Sequence, residues 1–408
     1  MTKTYPLLLD GALGTSLIAA GLPSGACPEA WILESAEHEQ VVRSLVRRYV
    51  ESGSRFVYTP TFGANASTLQ NHSLSHRTTE LNRRLAALVR EEVDRLGADV
   101  TVVGDLSPTG RFLAPMGDAT FEELVGLYRE QIAAMNELVD AFVCETNLQL
   151  SDARAALFAA RLVDPQKPFF ASFTLAGDTT TLGGTDVRAA AVSLFSLGAH
   201  AVGVNCSTGP EAMQPAVGAL SLLRPKGRYI LAKPNAGLPD SEGHFSLSPE
   251  EFAQKAALLV PLGADLIGGC CGTSPDYLAA LAKVLPTDVT ERAGAAIDTL
   301  ICSERCVFDA AKLTFGKPVT VDETTLFSLD FSAEALHLYF ADVESAKRAG
   351  ELFCYLPSTA LCFSSASAEA LEAALFVYQG RAAVCVDNLS EKEKEHISTT
   401  YSPVLQKG

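Results

Sequence analysis

Leu266-Ile267-Gly268-Gly269-Cys270-Cys271-Gly272-Thr273-Ser274-Pro275 holds one complete unit of the fold. The apolar start reads as a short buried strand over 266–269. Ser274 before Pro275 reads as a helix cap with proline at the first helical position, opening a helix over 275–284. Between strand and helix sit two adjacent thiols bounded by glycines. The same order recurs towards the N-terminus. Strands are expected at 7–10, 55–59, 100–105, 141–145, 169–173, 201–205 and 229–233, each rich in β-branched or aromatic residues. Helices are expected at 37–52, 77–96, 121–139, 151–162, 187–197, 210–223 and 249–262, with Ser248 before Pro249 repeating the cap. Gly53, Gly97, Gly198 and Gly263 fall just past helix ends, where a left-handed residue is wanted.

Eight strands alternating with helices predict a parallel sheet, and eight such units predict closure into a (β/α)8 TIM barrel. An open doubly wound sheet is the rival. The strand ends favour the barrel, because almost all are polar or otherwise special: Asp10-Gly11, Thr59-Pro60-Thr61, Asp105, Glu145-Thr146, Asn205-Cys206, Lys233-Pro234-Asn235 and Cys270-Cys271. Closure gathers them on one face, where barrel enzymes build their sites.

The chain of 408 residues is 48 % hydrophobic with a formal charge of −16 and a mean hydropathy of +0.16. There is ample material for a core, and the acidic balance argues against nucleic acid or an anionic membrane as partner. Met1-Thr2-Lys3-Thr4-Tyr5-Pro6 lacks the architecture of a signal peptide, and no apolar run reaches bilayer-spanning length. A cytoplasmic protein is expected, its ten cysteines reduced and too sparse for a disulfide scaffold.

The barrel is expected to occupy 1–290, and 291–408 a small C-terminal α/β appendix without a readable motif. There the expected strands are 297–301, 319–321, 326–331, 353–356 and 382–386, the helices 343–350 and 368–378. The residues from Ser398 are expected to form a loose terminus.

The chemistry centres on Cys206, Cys270 and Cys271. A lone free cysteine is usually a small buried hydrophobe, and Cys27, Cys144, Cys302, Cys306, Cys354, Cys362 and Cys385 are read that way. Adjacent strand residues point to opposite faces, so the glycines around Cys270-Cys271 matter: they let the backbone turn and aim both sulfurs at one point. With Cys206 they make three legs of a tetrahedral zinc (Zn2+) site whose open fourth position suits a substrate thiol. A thiol bound there becomes a thiolate nucleophile at neutral pH.

Asp10-Gly11-Ala12-Leu13-Gly14-Thr15 could cradle a phosphate, although its spacing misses the three-glycine fingerprint. Asp10 could instead face Glu145 across the barrel, and two carboxylates would hold a substrate ammonium by charge-assisted hydrogen bonds. Asn205 and Asn235 fit a functional role and simple loop capping equally well. The seven histidines form no recognisable ligand pair.

Taken together, Asp10-Gly11-Ala12-Leu13-Gly14-Thr15, Thr59-Pro60-Thr61-Phe62-Gly63-Ala64-Asn65, Glu145-Thr146, Val204-Asn205-Cys206, Pro234-Asn235-Ala236-Gly237-Leu238-Pro239 and Gly268-Gly269-Cys270-Cys271-Gly272-Thr273 resemble the homocysteine S-methyltransferase family. The resemblance runs from about Leu7 to Leu285 and is strongest to the homocysteine-binding module of cobalamin-dependent methionine synthase. It implies a zinc barrel that methylates homocysteine to methionine. Cys206, Cys270 and Cys271 would hold the metal and activate the thiol, while Asp10, Gly11, Thr59, Glu145, Asn205 and Asn235 would contact the substrate. Small residues around Cys27-Pro28-Glu29 and Gly63 argue against an aromatic cage for betaine.

No Asp-x-His-x-x-Gly cobalamin motif is present, and a folate barrel cannot fit in the last stretch. The expected methyl donor is therefore external, a separate methylcorrinoid protein. The alternatives are a sulfonium donor, S-methylmethionine or S-adenosylmethionine, or a zinc-binding partner component of a corrinoid system. Composition leaves the oligomeric state open.

Overall fold

The computed structural model describes residues 6–207, 209–240, 243–286, 292–325, 329–330 and 333–406. Eight parallel strands form one sheet: β1 (Leu7–Leu8), β2 (Phe56–Tyr58), β3 (Thr101–Leu106), β4 (Ala141–Asn147), β5 (Phe169–Phe173), β6 (Ala201–Cys206), β7 (Tyr229–Pro234) and β8 (Leu266–Ile267). Their order, β1-β8-β7-β6-β5-β4-β3-β2, is that of a barrel opened between β1 and β2. The Arg55 N–H donates to the Leu8 carbonyl across that seam at 2.7 Å. The open doubly wound alternative is thereby set aside.

Leu9, Phe56, Tyr58, Val103, Val143, Phe170, Leu231 and Leu266 fill the barrel interior. A larger apolar layer joins the outer faces of the strands to the helices. The helices follow the sequence expectation closely; Ala36–Glu51 is capped by Ser35 and Phe121–Met135 by a Thr120/Glu123 capping box. The stretch expected as one helix over 249–262 forms two, Pro249–Ala257 and Leu259–Leu262. β1 and β8 are shorter than expected because the backbones leave the regular ladder where they approach most closely. A Cβ on Gly268 would lie 2.6 Å from the Asp10 carbonyl.

Beyond the barrel, β9 (Leu300–Cys302) and β10 (Val307–Asp309) pair antiparallel. A five-stranded parallel sheet follows, ordered β11 (Val319–Thr320), β12 (Ala335–Phe340), β13 (Ala360–Ser365), β14 (Ala383–Cys385) and β15 (Val404–Gln406). The sequence reading missed β12 and β13. It also placed a strand at 353–356 where the helix Val343–Phe353 ends; Ala346, Ala349, Leu352 and Phe353 carry helical spacing to that point and are buried. The expected strand at 326–331 lies largely outside the described residues, and Leu329 and Asp330 belong to no strand.

The terminus is not loose. Glu391–Tyr401 is a helix with a Ser390/Glu393 capping box, and β15 pairs with β14. Residues 287–291, where the expected division falls, lie outside the described residues.

Candidate active site

Cys206 closes β6, and its sulfur reaches the pocket because the backbone leaves strand geometry there. Cys206 and Ser207 both take φ of 60°, a left-handed conformation that costs a residue with a side chain on the order of 1–2 kcal/mol. After β8 the Cys270 N–H donates to the Pro234 carbonyl at 2.8 Å, and the Cys271 N–H donates to Asn235 Oδ1 at 3.1 Å. Gly272 then turns the chain at φ 80°. The ligand atoms of Cys206, Cys270 and Cys271 lie within 4.8 Å of one another, and the Cys206 and Cys271 sulfurs are 3.9 Å apart. Hydrogen bonds from Cys270 and Cys271 hold the Cys206 thiol far below its ordinary pKa, and their contacts with Cys206 raise both of theirs.

The asparagines organise this corner. Asn205 Oδ1 accepts from the Thr146 N–H at 2.8 Å and from Ser172 Oγ at 2.9 Å, while its Nδ2 donates to Thr146 Oγ1 at 2.8 Å and faces Cys270 Sγ at 3.9 Å. Asn205 therefore ties β4, β5 and β6 together behind the sulfurs. Asn235 carries the Cys271 amide from the other side.

A buried ion cluster lines the same cavity as the sulfurs. Lys233 Nζ lies 3.0 Å from Asp10 Oδ1 and 3.6 Å from Glu145 Oε2, and 3.7 Å from the centre of the Tyr58 ring. Burial opposes the charge on Lys233, but Asp10 and then Glu145 outweigh it and hold its pKa well above the ordinary value. Asp10 is fully engaged, since its Oδ2 accepts the Tyr58 N–H at 2.7 Å. Glu145 Oε2 is buried without a hydrogen-bond partner, and so is Asp105 Oδ1. Burial raises the pKa of both acids.

Both clusters line one cavity of about 360 Å³ that Gly11, Thr59, Thr146 and Glu29 also border. Buried polar atoms are normally paired, so orphaned carboxyl oxygens beside a thiol cluster mark a place for a cationic group and a sulfur on one small molecule. Gly11 contributes by absence: a Cβ there would lie 2.6 Å from the Thr273 carbonyl and 2.9 Å from the Tyr49 hydroxyl. The Thr59 hydroxyl is committed to Thr61 Oγ1 at 2.7 Å and the Asp105 N–H at 3.1 Å, so it shapes the floor rather than offering a free donor.

Lys233 stands at a strand end for which the sequence alone suggests no role. A lysine within the apolar run Tyr229-Ile230-Leu231-Ala232-Lys233-Pro234 was the available signal, since a buried cation demands acids nearby. Glu29 was passed over as well. It is buried, its Oε1 accepts the Gly63 N–H at 2.7 Å, and Gly63 has no room for a Cβ beside it.

A family model described as homocysteine S-methyltransferase matches residues 7–285. The chain belongs to that family. It is 32 % identical over 294 residues to methionine synthase of Mycobacterium tuberculosis, covering 68 % of this chain and 24 % of that protein. For methionine synthase of Mycobacterium leprae the identity is 31 % with the same coverage. This homocysteine S-methyltransferase family member thus spans about a quarter of the length of those relatives.

Among solved structures, the homocysteine methyltransferase MmuM of Escherichia coli in its metallated form superposes with a TM-score of 0.58 at 24 % identity, covering 69 % of this chain and 96 % of that one. Its oxidized form gives 0.56. These likenesses confirm the barrel. Among the described residues no helix is long and apolar enough to cross a membrane.

Proposed function

We propose that this chain methylates homocysteine to methionine as a zinc-dependent S-methyltransferase, with residues 1–290 as the homocysteine-binding barrel and a methylcorrinoid protein as external donor. The observation that carries the reading is the placing of three sulfurs within 4.8 Å of one another on a cavity that also contains a buried carboxylate oxygen, Glu145 Oε2, without a hydrogen bond. Two sulfurs on one tetrahedral zinc with Zn–S of about 2.3 Å stand about 3.8 Å apart, and the Cys206–Cys271 separation of 3.9 Å fits that donor set. Bound by Cys206, Cys270 and Cys271, zinc would supply a Lewis acid that keeps a substrate thiol deprotonated at neutral pH.

The chain's own residues do the rest. Glu145 accepts the substrate ammonium with Oε2, which makes no hydrogen bond, while Lys233, 3.6 Å from that oxygen, and Asp10 fix the carboxylate's position by charge. Asn205 and Asn235 hold the two cysteine-bearing segments in register. The substrate sulfur forms the bond to the methyl carbon as the donor's bond to it breaks, with that electron pair staying on the donor and the thiol proton passing to water. Positioning the sulfur removes much of the entropic barrier to this in-line step. The same reading makes the protein cytoplasmic, because all ten cysteines are free thiols and a reducing compartment keeps them so.

The test is methionine formation from homocysteine and methylcobalamin by zinc-loaded protein, with Cys271→Ala as control. Methionine that disappears in the variant supports the reading. Methionine formed only from S-methylmethionine or S-adenosylmethionine would replace the donor. Full activity in a zinc-free variant would overturn the metal's part.

A further inference from the structure

We propose that His337, Cys362 and Cys385 form a second metal site, for a thiophilic divalent cation of the zinc class, on the C-terminal sheet. Among the described residues these are the only His, Cys, Asp or Glu side chains apart from the barrel cysteines whose donor atoms gather closely enough to share an ion, all within 4.8 Å of one another. The gathering follows from register. His337 on β12 pairs with Cys362 on β13, which pairs with Ala383 on β14. Strand periodicity places Cys385 on the same face as Ala383. Three adjacent parallel strands thus each present one soft or borderline donor to one point.

The register also separates a shared ion from a disulfide. Cys385 lies two residues beyond the partner of Cys362. With strands about 4.8 Å apart and a rise of about 3.3 Å per residue, their Cα atoms are roughly 8 Å apart. A disulfide needs Cα atoms closer than about 7 Å. The sulfurs nevertheless converge to 3.6 Å, close to the spacing of about 3.8 Å that two thiolates take on one tetrahedral cation. Such a pair is too offset in backbone to bridge covalently without distortion, yet is correctly spaced to chelate.

The surroundings suit an ion. Cys362 is buried beneath the segment that follows β9, with Ile301, Ala310, Phe308, Leu313 and Phe315 against the same face. His337 and Cys385 are half-buried, so the point is reachable from solvent. The His337 ring is held in place by a 2.8 Å contact between Nε2 and Ser364 Oγ. A ring held through one nitrogen is the usual setting of a metal-ligating histidine, which coordinates through the other. Two thiolates and an imidazole select zinc over magnesium or calcium, and the fourth position falls to water or an added thiol. An ion there would tie β12, β13 and β14 together at a distance in the chain from the catalytic cysteines.

The experiment is zinc stoichiometry of the full chain, stripped with chelator and reloaded under reducing conditions, with circular dichroism as the check of folding. Wild type is expected to retain two zinc ions per chain, and Cys206→Ala/Cys271→Ala one. Cys385→Ser and His337→Gln, both at half-buried positions, are expected to retain one fewer than wild type; they carry the test if Cys362→Ser fails to fold. Cobalt substitution of the Cys206→Ala/Cys271→Ala variant should give a thiolate-to-cobalt absorption band that Cys385→Ser removes. Should the barrel site fail to bind, a single zinc lost with Cys385→Ser still supports the proposal. Equal stoichiometry in wild type and Cys385→Ser overturns it, as does a Cys362–Cys385 disulfide found by mass in the reloaded protein.

Discussion

Lys233 Nζ sits 3.0 Å from Asp10 Oδ1, joining the end of β7 to a residue two positions past β1, 223 positions away in the chain. The pair is almost wholly buried, and Glu145 approaches the same ammonium at 3.6 Å. Two carboxyl groups thus face one ammonium on the cavity wall, and a substrate ammonium would be a second cationic partner for them. The cluster borders the same cavity as the sulfurs, so one molecule carrying an amine and a thiol can satisfy both.

Lys233→Met is therefore expected to do more than remove a contact. It leaves Asp10 and Glu145 facing each other without a counter-charge, and breaking a buried ion pair from one side costs about 3–5 kcal/mol. Replacing all three, Asp10→Asn with Glu145→Gln and Lys233→Met, should recover much of that loss because no unpaired charge remains. Urea unfolding of the two variants checks this; a single variant as stable as wild type would show that the ammonium is not what holds the acids.

Asp105 gives a pH dependence whose sign follows from its burial. Desolvation, then the Glu145 charge, raise its pKa well above the ordinary value, so the folded chain keeps a proton that the unfolded chain releases. Below the unfolded pKa of about 3.9 both states are protonated and the group adds no slope. Above it, stability falls by up to about 1.4 kcal/mol per pH unit until the pH passes the folded value. Asp105→Asn removes that loss. Its advantage over wild type in urea midpoint should widen from pH 5 to pH 8, and a constant or shrinking difference would refute the assignment.

The barrel was legible because each βα unit carries its own punctuation. Ser248-Pro249 and Ser274-Pro275 start helices, Gly97 ends one in the left-handed conformation, and the apolar runs between them are short and clean. The cysteine cluster was legible for a local reason too, since paired thiols among glycines have few other uses. What could not be read was anything set by closure. The Lys233–Asp10 pair, and with it the setting of the Glu145 oxygen, needs β1 brought round to β8 and β7, and the Asn205 brace needs β4, β5 and β6 side by side. In the C-terminal sheet, β12 alternates Leu336, Leu338 and Phe340 with His337 and Tyr339, a strand signal the expected elements do not include, while Ser364 and Ser365 end β13 in polar residues. The short β15 is held by its pairing with β14.

Gly11→Ala tests the close approach that Gly11 permits. The new methyl would lie 2.6 Å from the Thr273 carbonyl, 2.8 Å from Leu278 Cδ2 and 2.9 Å from the Tyr49 hydroxyl. That hydroxyl binds the Ala12 and Thr273 carbonyls at 2.9 and 3.1 Å, so it cannot yield without losing both. Overpacking of this kind costs about 1–3 kcal/mol, and it would push the segment after β8 away from β1. A lower Tm with weaker metal retention is expected, whereas an unchanged Tm would mean that the two segments can separate freely.

Arg154 couples the barrel to the C-terminal sheet. It is buried on the helix Leu150–Val163, flanked by the rings of Phe121 and Phe158 at 5.2 and 5.0 Å. Its Nη1 and Nη2 donate to the Phe376 and Leu375 carbonyls at 2.7 and 2.6 Å. Those carbonyls belong to the last turn of the helix Ala368–Val377, where no intrahelical donor is left to pair them. Arg154→Met keeps most of the packing against the two rings but strands both acceptors, at a cost of about 2–5 kcal/mol. Because the loss falls on one side of the junction, amide exchange should quicken first in Ala368–Val377 and β13, with the strands around the cysteine cluster still protected. Uniform acceleration across both sheets would mean instead that the chain opens as one cooperative unit, and no acceleration that Arg154 does not hold the helix.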